Sequence, residues 1–266
     1  MPLLFALSVT VITLVSSALV WARVWWFPVD ISAHGPAIDR QFTVTFIVCG
    51  VIFLLAQLGL ALFVWRYRDR ADGRKVIYSH GNNMMEAGWT AAAAVLFIGL
   101  NLMGYRVWAG LHFAGPDPGA FKIEVTGQQF QWYFRYPGPD GEFGQVHVNL
   151  VNDAGGNALG LDRTHNPSAK DDIVTATLAL PVNRHVELLL RSKDVTHSFF
   201  VRELRLKQDA VPGMVISVHF VANQVGKYEL ACAELCGLGH YRMRAFVDVM
   251  AEQDFENWMK KMAAEQ

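Results

Sequence analysis

The pattern of apolar and polar positions changes near residue 110. Before it, apolar residues form long unbroken runs; after it, they alternate with polar residues in short segments separated by turns. Three runs reach the length of a bilayer crossing, about 20 apolar residues. Phe42 to Trp65 carries no charge, Ala87 to Tyr105 has Asn101 as its strongly polar member, and Leu3 to Ala22 is uncharged. The last of these opens the chain, and Val20-Trp21-Ala22 loosely resembles a signal cleavage site. No positive charge precedes the run, however, and it is long for a signal core. The pattern therefore predicts a retained third helix, with a signal peptide as the alternative.

Beyond Gly115-Pro116-Asp117-Pro118-Gly119 the period-two segments are Lys122–Thr126, Gln129–Tyr136, Val146–Val151, Ile173–Leu180, His185–Arg191, Met214–Val221, Lys227–Cys232 and Arg244–Met250. Their alternation and turn spacing predict an all-β sandwich or barrel. Asn152 to Asp172, rich in Gly, Asn, Asp and Pro, reads as a long loop. Glu252 to Gln266 places Phe255, Trp258, Met259 and Met262 at helical spacing and predicts a short terminal helix. The expected organisation is an extra helix or signal peptide over 1–30, a transmembrane hairpin over 31–110, a β domain over 111–250 and a helix over 251–266.

Composition strengthens the membrane reading. Of 266 residues, 52% are hydrophobic and 18% charged, less charge than a soluble domain usually carries. A net charge of −1 gives no case for nucleic-acid binding. Three cysteines are too few for a disulfide scaffold. Between the two stronger spans, Arg66 to Lys75 holds Arg66, Arg68, Arg70, Arg74 and Lys75. Such a loop belongs on the cytoplasmic face, which sends everything after about residue 110 to the other side. Trp25, Trp26, Trp65 and Trp108 fall at span ends, where aromatic rings suit the headgroup level. Glu86 begins the second strong span; a carboxylate there complements the helix dipole, and an ionisable group at a membrane edge can also take up protons.

The densest chemistry is Cys232-Ala233-Glu234-Leu235-Cys236-Gly237-Leu238-Gly239-His240-Tyr241-Arg242-Met243. Thiolate and thioether sulfur with imidazole favour copper electron transfer. A single-copper blue site uses one cysteine; two cysteines four apart can bridge two metals. A second histidine is then needed, and Asp194-Val195-Thr196-His197 supplies it on a loop after a predicted strand. Asp194 is placed to orient that imidazole. A structural disulfide and a Cys/His zinc site are the competing readings. The zinc site lacks its usual paired spacing and leaves Met243 idle.

Cys-x-Glu-x-Cys-x-x-x-His-x-x-Met, preceded by His-Ser-Phe-Phe-Val and Leu-Lys-Gln-Asp-Ala-Val-Pro-Gly, resembles subunit II of cytochrome c oxidases in the haem–copper superfamily. The resemblance runs from the second strong span to about residue 250. It implies a membrane-anchored, cupredoxin-like Greek-key β-sandwich holding a copper A centre of two copper ions. Cys232 and Cys236 would bridge them, with His197 and Met243 on one copper and His240 and the Glu234 backbone carbonyl on the other. The Glu234 side chain would help bind magnesium against the catalytic subunit. Glu86 would stand at the mouth of a proton channel, and Trp132, in Gln131-Trp132-Tyr133-Phe134, where cytochrome c delivers its electron. The implied activity is acceptance of electrons from cytochrome c and their transfer to haem in the partner subunit, where oxygen is reduced with proton pumping.

The implied partners are subunits I and III, cytochrome c and the lipid bilayer, in a bacterial cytoplasmic membrane. The copper domain would face the periplasm and loop 66–85 the cytoplasm. The alternatives are a copper A nitric oxide reductase subunit and a membrane-tethered copper carrier; a quinol-oxidase subunit dispenses with these ligands. Three departures stand out. Phe134 occupies the place of a frequent second tryptophan, Arg135-Tyr136-Pro137 replaces a usual acidic residue, and the first helix is additional. Asp153, Asp162, Asp171 and Asp172 could restore acidity near Trp132, although a solvated loop explains them as well.

Overall fold

A computed structural model describes residues 1–23, 26–69, 73, 75, 78 and 80–265. Trp25, Arg70 and Arg74, named above for the membrane topology, lie outside the described residues. The chain divides into two units: Met1–Pro28 with Ala37–Gly110, and Val29–Pro36 with Leu111–Gln266.

The first unit is helical. Helices α1 (Pro2–Trp21), α2 (Gly35–Arg66) and α3 (Asn83–His112) are each long and apolar enough to cross a membrane. All three expected spans are present; α2 and α3 are longer at both ends, because polar first and last turns still close helical hydrogen bonds, and α1 keeps the expected length, shifted by one residue. Trp26, Phe27, Phe42 and Phe46 form an aromatic cluster at the start of α2. Asn82 caps α3 by accepting from the Met84 and Met85 amides at 3.0 and 3.1 Å. Glu86 lies in the first turn of α3.

The second unit is a sandwich of two five-stranded sheets. One sheet runs β3 (Ile173–Thr175), β2 (Gln131–Tyr136), β1 (Phe121–Gln128), β5 (His185–Ser192), β8 (Ile216–Val221). The other runs β4 (Thr177–Pro181), β10 (Arg244–Met250), β9 (Gly226–Cys232), β6 (His197–Val201), β7 (Leu206–Ala210). Pairs β1–β5 and β4–β10 are parallel; the rest are antiparallel. Inward-facing Trp132, Phe134, Tyr136, Leu188, Phe199 and Val247 fill the space between the sheets. The Tyr136 hydroxyl crosses it, donating to the Ala179 carbonyl at 3.1 Å and accepting from the Ala179 amide at 2.7 Å. Helix α5 (Glu252–Glu265) closes one end, with Phe255 against Phe121 and Trp258 against Tyr136.

The segment Ile173–Leu180, expected as one strand, is two. The chain breaks at Ala176 and crosses between sheets, and an apolar alternation reads the same through such a bend. Val146–Val151 forms no strand; Val148–Leu150 is a short 3-10 turn and Val146 makes an isolated bridge to Leu161. The loop 152–172 contains a short helix, α4 (Pro167–Asp171), capped by Asn166. Val29–Pro36, expected within the helical part, belongs to the sandwich. The Ile31 amide donates to Glu203 and its carbonyl accepts from Asn223, at 3.0 and 2.8 Å, and the Ile31 side chain is fully buried in the core.

Candidate metal centre

The backbone brings the candidate ligands together at one end of the sandwich. His197, expected on a loop, is the first residue of β6, and β6 pairs with β9 so that Phe199 faces Cys232. Cys232 ends β9, and its amide donates to the Met243 carbonyl at 3.0 Å, fastening the two ends of the loop. The Ala233 amide donates to Ser198. A single 3-10 turn, His240–Arg242, then aims His240 back toward Cys236.

The two sulfurs lie 3.9 Å apart, too far for the disulfide reading, whose bond would be about 2.05 Å. Cys232 Sγ is 3.9 Å from His197 Nδ1 and 3.2 Å from the Glu234 carbonyl oxygen. Cys236 Sγ is 3.7 Å from His240 Nδ1 and 3.6 Å from Met243 Sδ. Thus four candidate donor atoms surround the pair of cysteine sulfurs, six donors in all, and both imidazoles present Nδ1 to it. His197, Cys232, Cys236 and Met243 are buried, His240 is half-buried and Glu234 is exposed. Two thiolates, two imidazoles, a thioether and a carbonyl suit a soft, redox-active metal pair better than a four-coordinate zinc ion, which would leave donors over.

Asp194 Oδ1 sits 2.8 Å from His197 Nε2. With that carboxylate accepting from Nε2–H, the Nδ1 lone pair is free to point at the sulfurs. Burial alone would lower the His197 pKa, but the sulfur of Cys232 and the carboxylate of Asp194 overcome it and raise the value. Burial also opposes ionisation of Cys232; hydrogen bonds from His197 and the backbone prevail and bring its thiol down to about 6. Cys236 moves the other way, pushed up to about 11 by burial and by the charge on Cys232.

Several supports come from segments distant in sequence that carried no ligand motif. The β1–β2 hairpin places Gln129 and Phe130 at its tip, and Gln129 donates from Nε2 to the Cys236 carbonyl and from its amide to Asp194 at 2.8 Å. Gly127 must be glycine, because a Cβ there would come within 2.8 Å of the His197 ring. Trp132 is 1% exposed and meets the His197 ring edge-on, with centroids 5.9 Å apart. Its neighbour Arg135 is buried: Nε donates to Asp172 at 3.0 Å and Nη1 to Glu124 at 2.8 Å. The residue that departs from the family pattern is therefore part of an internal ion cluster.

The chain is similar in sequence to known proteins. The family described as cytochrome C oxidase subunit II, periplasmic domain, matches residues 121–250. The alternative cytochrome c oxidase subunit 2 of Bradyrhizobium diazoefficiens is 37% identical over 239 residues, covering 89% of this chain and 83% of the relative. Cytochrome c oxidase subunit 2 of Thermostichus vulcanus is 33% identical over 265 residues, covering 89% of this chain and 78% of that one. Among solved structures, the periplasmic domain of subunit II of cytochrome oxidase from Bradyrhizobium japonicum shares 24% identity, with a TM-score of 0.41, covering 56% of this chain and 97% of that one. The chain belongs to the cytochrome c oxidase subunit II family, as a membrane-anchored component of an oxidase complex.

Proposed function

We propose that the sandwich holds a copper A centre and passes electrons from cytochrome c to haem in the catalytic subunit. The observation that carries this reading is the convergence of two imidazoles, a thioether and a carbonyl on a pair of sulfurs 3.9 Å apart. Cys232, Cys236, His197, Met243, His240 and the Glu234 carbonyl would hold the copper pair. When bound, the copper pair supplies a one-electron acceptor whose charge is spread over several atoms.

The protein's own task is to keep those donors still. Strand pairing fixes His197 and Cys232, Asp194 fixes the His197 ring, and burial of Met243 and Cys236 keeps water from the sulfurs. Little then rearranges when an electron arrives, which keeps the barrier to transfer low. Trp132, packed on His197, provides an aromatic path to the ligand from the surface side. The exposed Glu234 carboxylate is free to share a magnesium ion with the catalytic subunit. Glu86, in the first turn of α3, would take up protons for pumping at the mouth of a channel entered from the cytoplasmic side. The basic loop 66–85 would face that side and the copper domain the periplasm. Subunits I and III would complete the assembly.

Rapid mixing of the purified oxidase complex with reduced cytochrome c tests the sequence of transfers. The copper absorption should bleach first and haem reduction follow. Haem reduction with no preceding change at the copper would contradict the proposal.

A further inference from the structure

We infer that Gln129, at the tip of the β1–β2 hairpin, is a positioning residue for Cys236 and so sets how evenly the metal pair shares its electron. The inference rests on the copper reading above and concerns the sulfur that no strand carries. Cys232 ends β9, where pairing with β6 sets it opposite Phe199 and its amide donates to the Met243 carbonyl at 3.0 Å. Cys236 lies past the end of β9, in the loop before the His240–Arg242 turn. Gly237 follows it with a φ of +132°, a conformation open to glycine, so the backbone beside this sulfur is the freer of the two. Gln129 meets it there, its Nε2 donating to the Cys236 carbonyl.

Gln129 is itself held from the other side of the site. Its main-chain amide donates to Asp194 at 2.8 Å, and the same carboxylate lies 2.8 Å from His197 Nε2. Below the tip, the Gly127 carbonyl accepts from the Lys193 amide at 3.0 Å, tying the hairpin to the segment that leads to His197. The tip also lies close on the metal loop. A Cβ at Gly237 would come within 2.8 Å of Gln129 Nε2, and one at Gly239 within 2.4 Å of the Phe130 ring. The backbone of Gln129 thus serves the His197 side, and its side chain serves the Cys236 side. Beyond Cys236, the His240 amide donates to the Gly237 carbonyl at 3.0 Å, so a shift of the Cys236–Gly237 peptide carries His240 with it. The donors that face Cys236 Sγ, His240 Nδ1 at 3.7 Å and Met243 Sδ at 3.6 Å, then lose their alignment. Gln129 is exposed, so replacing it should leave the sandwich folded and disturb the centre alone.

Two substitutions separate hydrogen bonding from packing. Gln129→Met keeps the length of the side chain and removes the donor. Gln129→Glu, ionised at neutral pH, keeps its shape and turns an acceptor toward the Cys236 carbonyl. Each full chain is loaded with copper in detergent and followed by paramagnetic resonance and by the rate of copper loss to excess EDTA. Far-ultraviolet circular dichroism checks the fold. Gln129→Met should lose copper about tenfold faster than the wild type, the usual effect of removing an outer partner of a metal ligand. Gln129→Glu should lose it faster still, and both should depart from the hyperfine pattern of an equally shared electron. If packing alone mattered, Gln129→Glu would match the wild type and Gln129→Met would not. That order overturns the inference, as do patterns and rates unchanged in both variants. Should one variant lose its strand signal, the other decides; loss in both makes Gln129 a residue of the fold and overturns the inference too. A wild-type chain without a two-copper signal would instead overturn the function on which it rests.

Discussion

Cys232 and Cys236 lie four residues apart and share one pocket, yet their surroundings push their thiols in opposite directions. Cys232 has His197 and backbone amides to stabilise its anion, and Cys236 has that anion as its neighbour. The folded-state value of Cys232 lies below the usual thiol range, so the stability it contributes is present above that range and lost as pH falls through about 6. Ultraviolet titration of the copper-free Cys49→Ser chain, which leaves Cys232 and Cys236 as its cysteines, should show one thiolate forming near pH 6 and the second only near pH 11. Two thiolates appearing together near the ordinary thiol value would contradict this picture. At the residue scale, the candidate donors were legible because they cluster in one motif, with His197 flagged by its own. Asp194, three residues before His197, was legible as its orienting partner, but the supports from the β1–β2 hairpin were not. Gly127, Gln129 and Phe130 precede the loop by about a hundred positions, and only the β1–β2 hairpin, folded against the metal loop, shows what they touch.

Elements with strong periodicity were readable, and those held by their neighbours were not. Strand β10 runs from Arg244 to Met250 as its alternation predicted, and α5 occupies the expected stretch. Strand β7, Leu-Lys-Gln-Asp-Ala, has no apolar face to announce it and exists by pairing along β6 at the sheet edge. Strand β6 is a five-residue run too short to assign by period. Most telling is the tether Val29–Pro36, which sits between two apolar runs in sequence but folds into the sandwich. Its Ile31 fills core volume that residues 111–266 leave open, so the sandwich is incomplete without a segment from before α2. Ile31→Ala should therefore destabilise the sandwich by about 2–5 kcal/mol. Denaturant unfolding of the detergent-solubilised chain, followed by the far-ultraviolet circular dichroism of its strands, measures this. A cost under about 0.5 kcal/mol, the range of surface substitutions, would show that the tether merely rests on the domain.

The whole molecule joins three apolar helices to a rigid β domain, and each part suits its place in an oxidase complex. The helices offer long lipid-compatible surfaces, while the sandwich gathers six donor atoms from β6, the end of β9 and the loop before β10. The number and kind of metal ions they hold is the claim on which electron transfer depends. Metal analysis with paramagnetic resonance of the copper-loaded full chain in detergent tests it most directly. The account predicts two coppers per chain and a hyperfine pattern from one electron shared equally by two copper nuclei. One copper per chain with a single-nucleus pattern, or a chain that retains zinc in preference to copper, would contradict it.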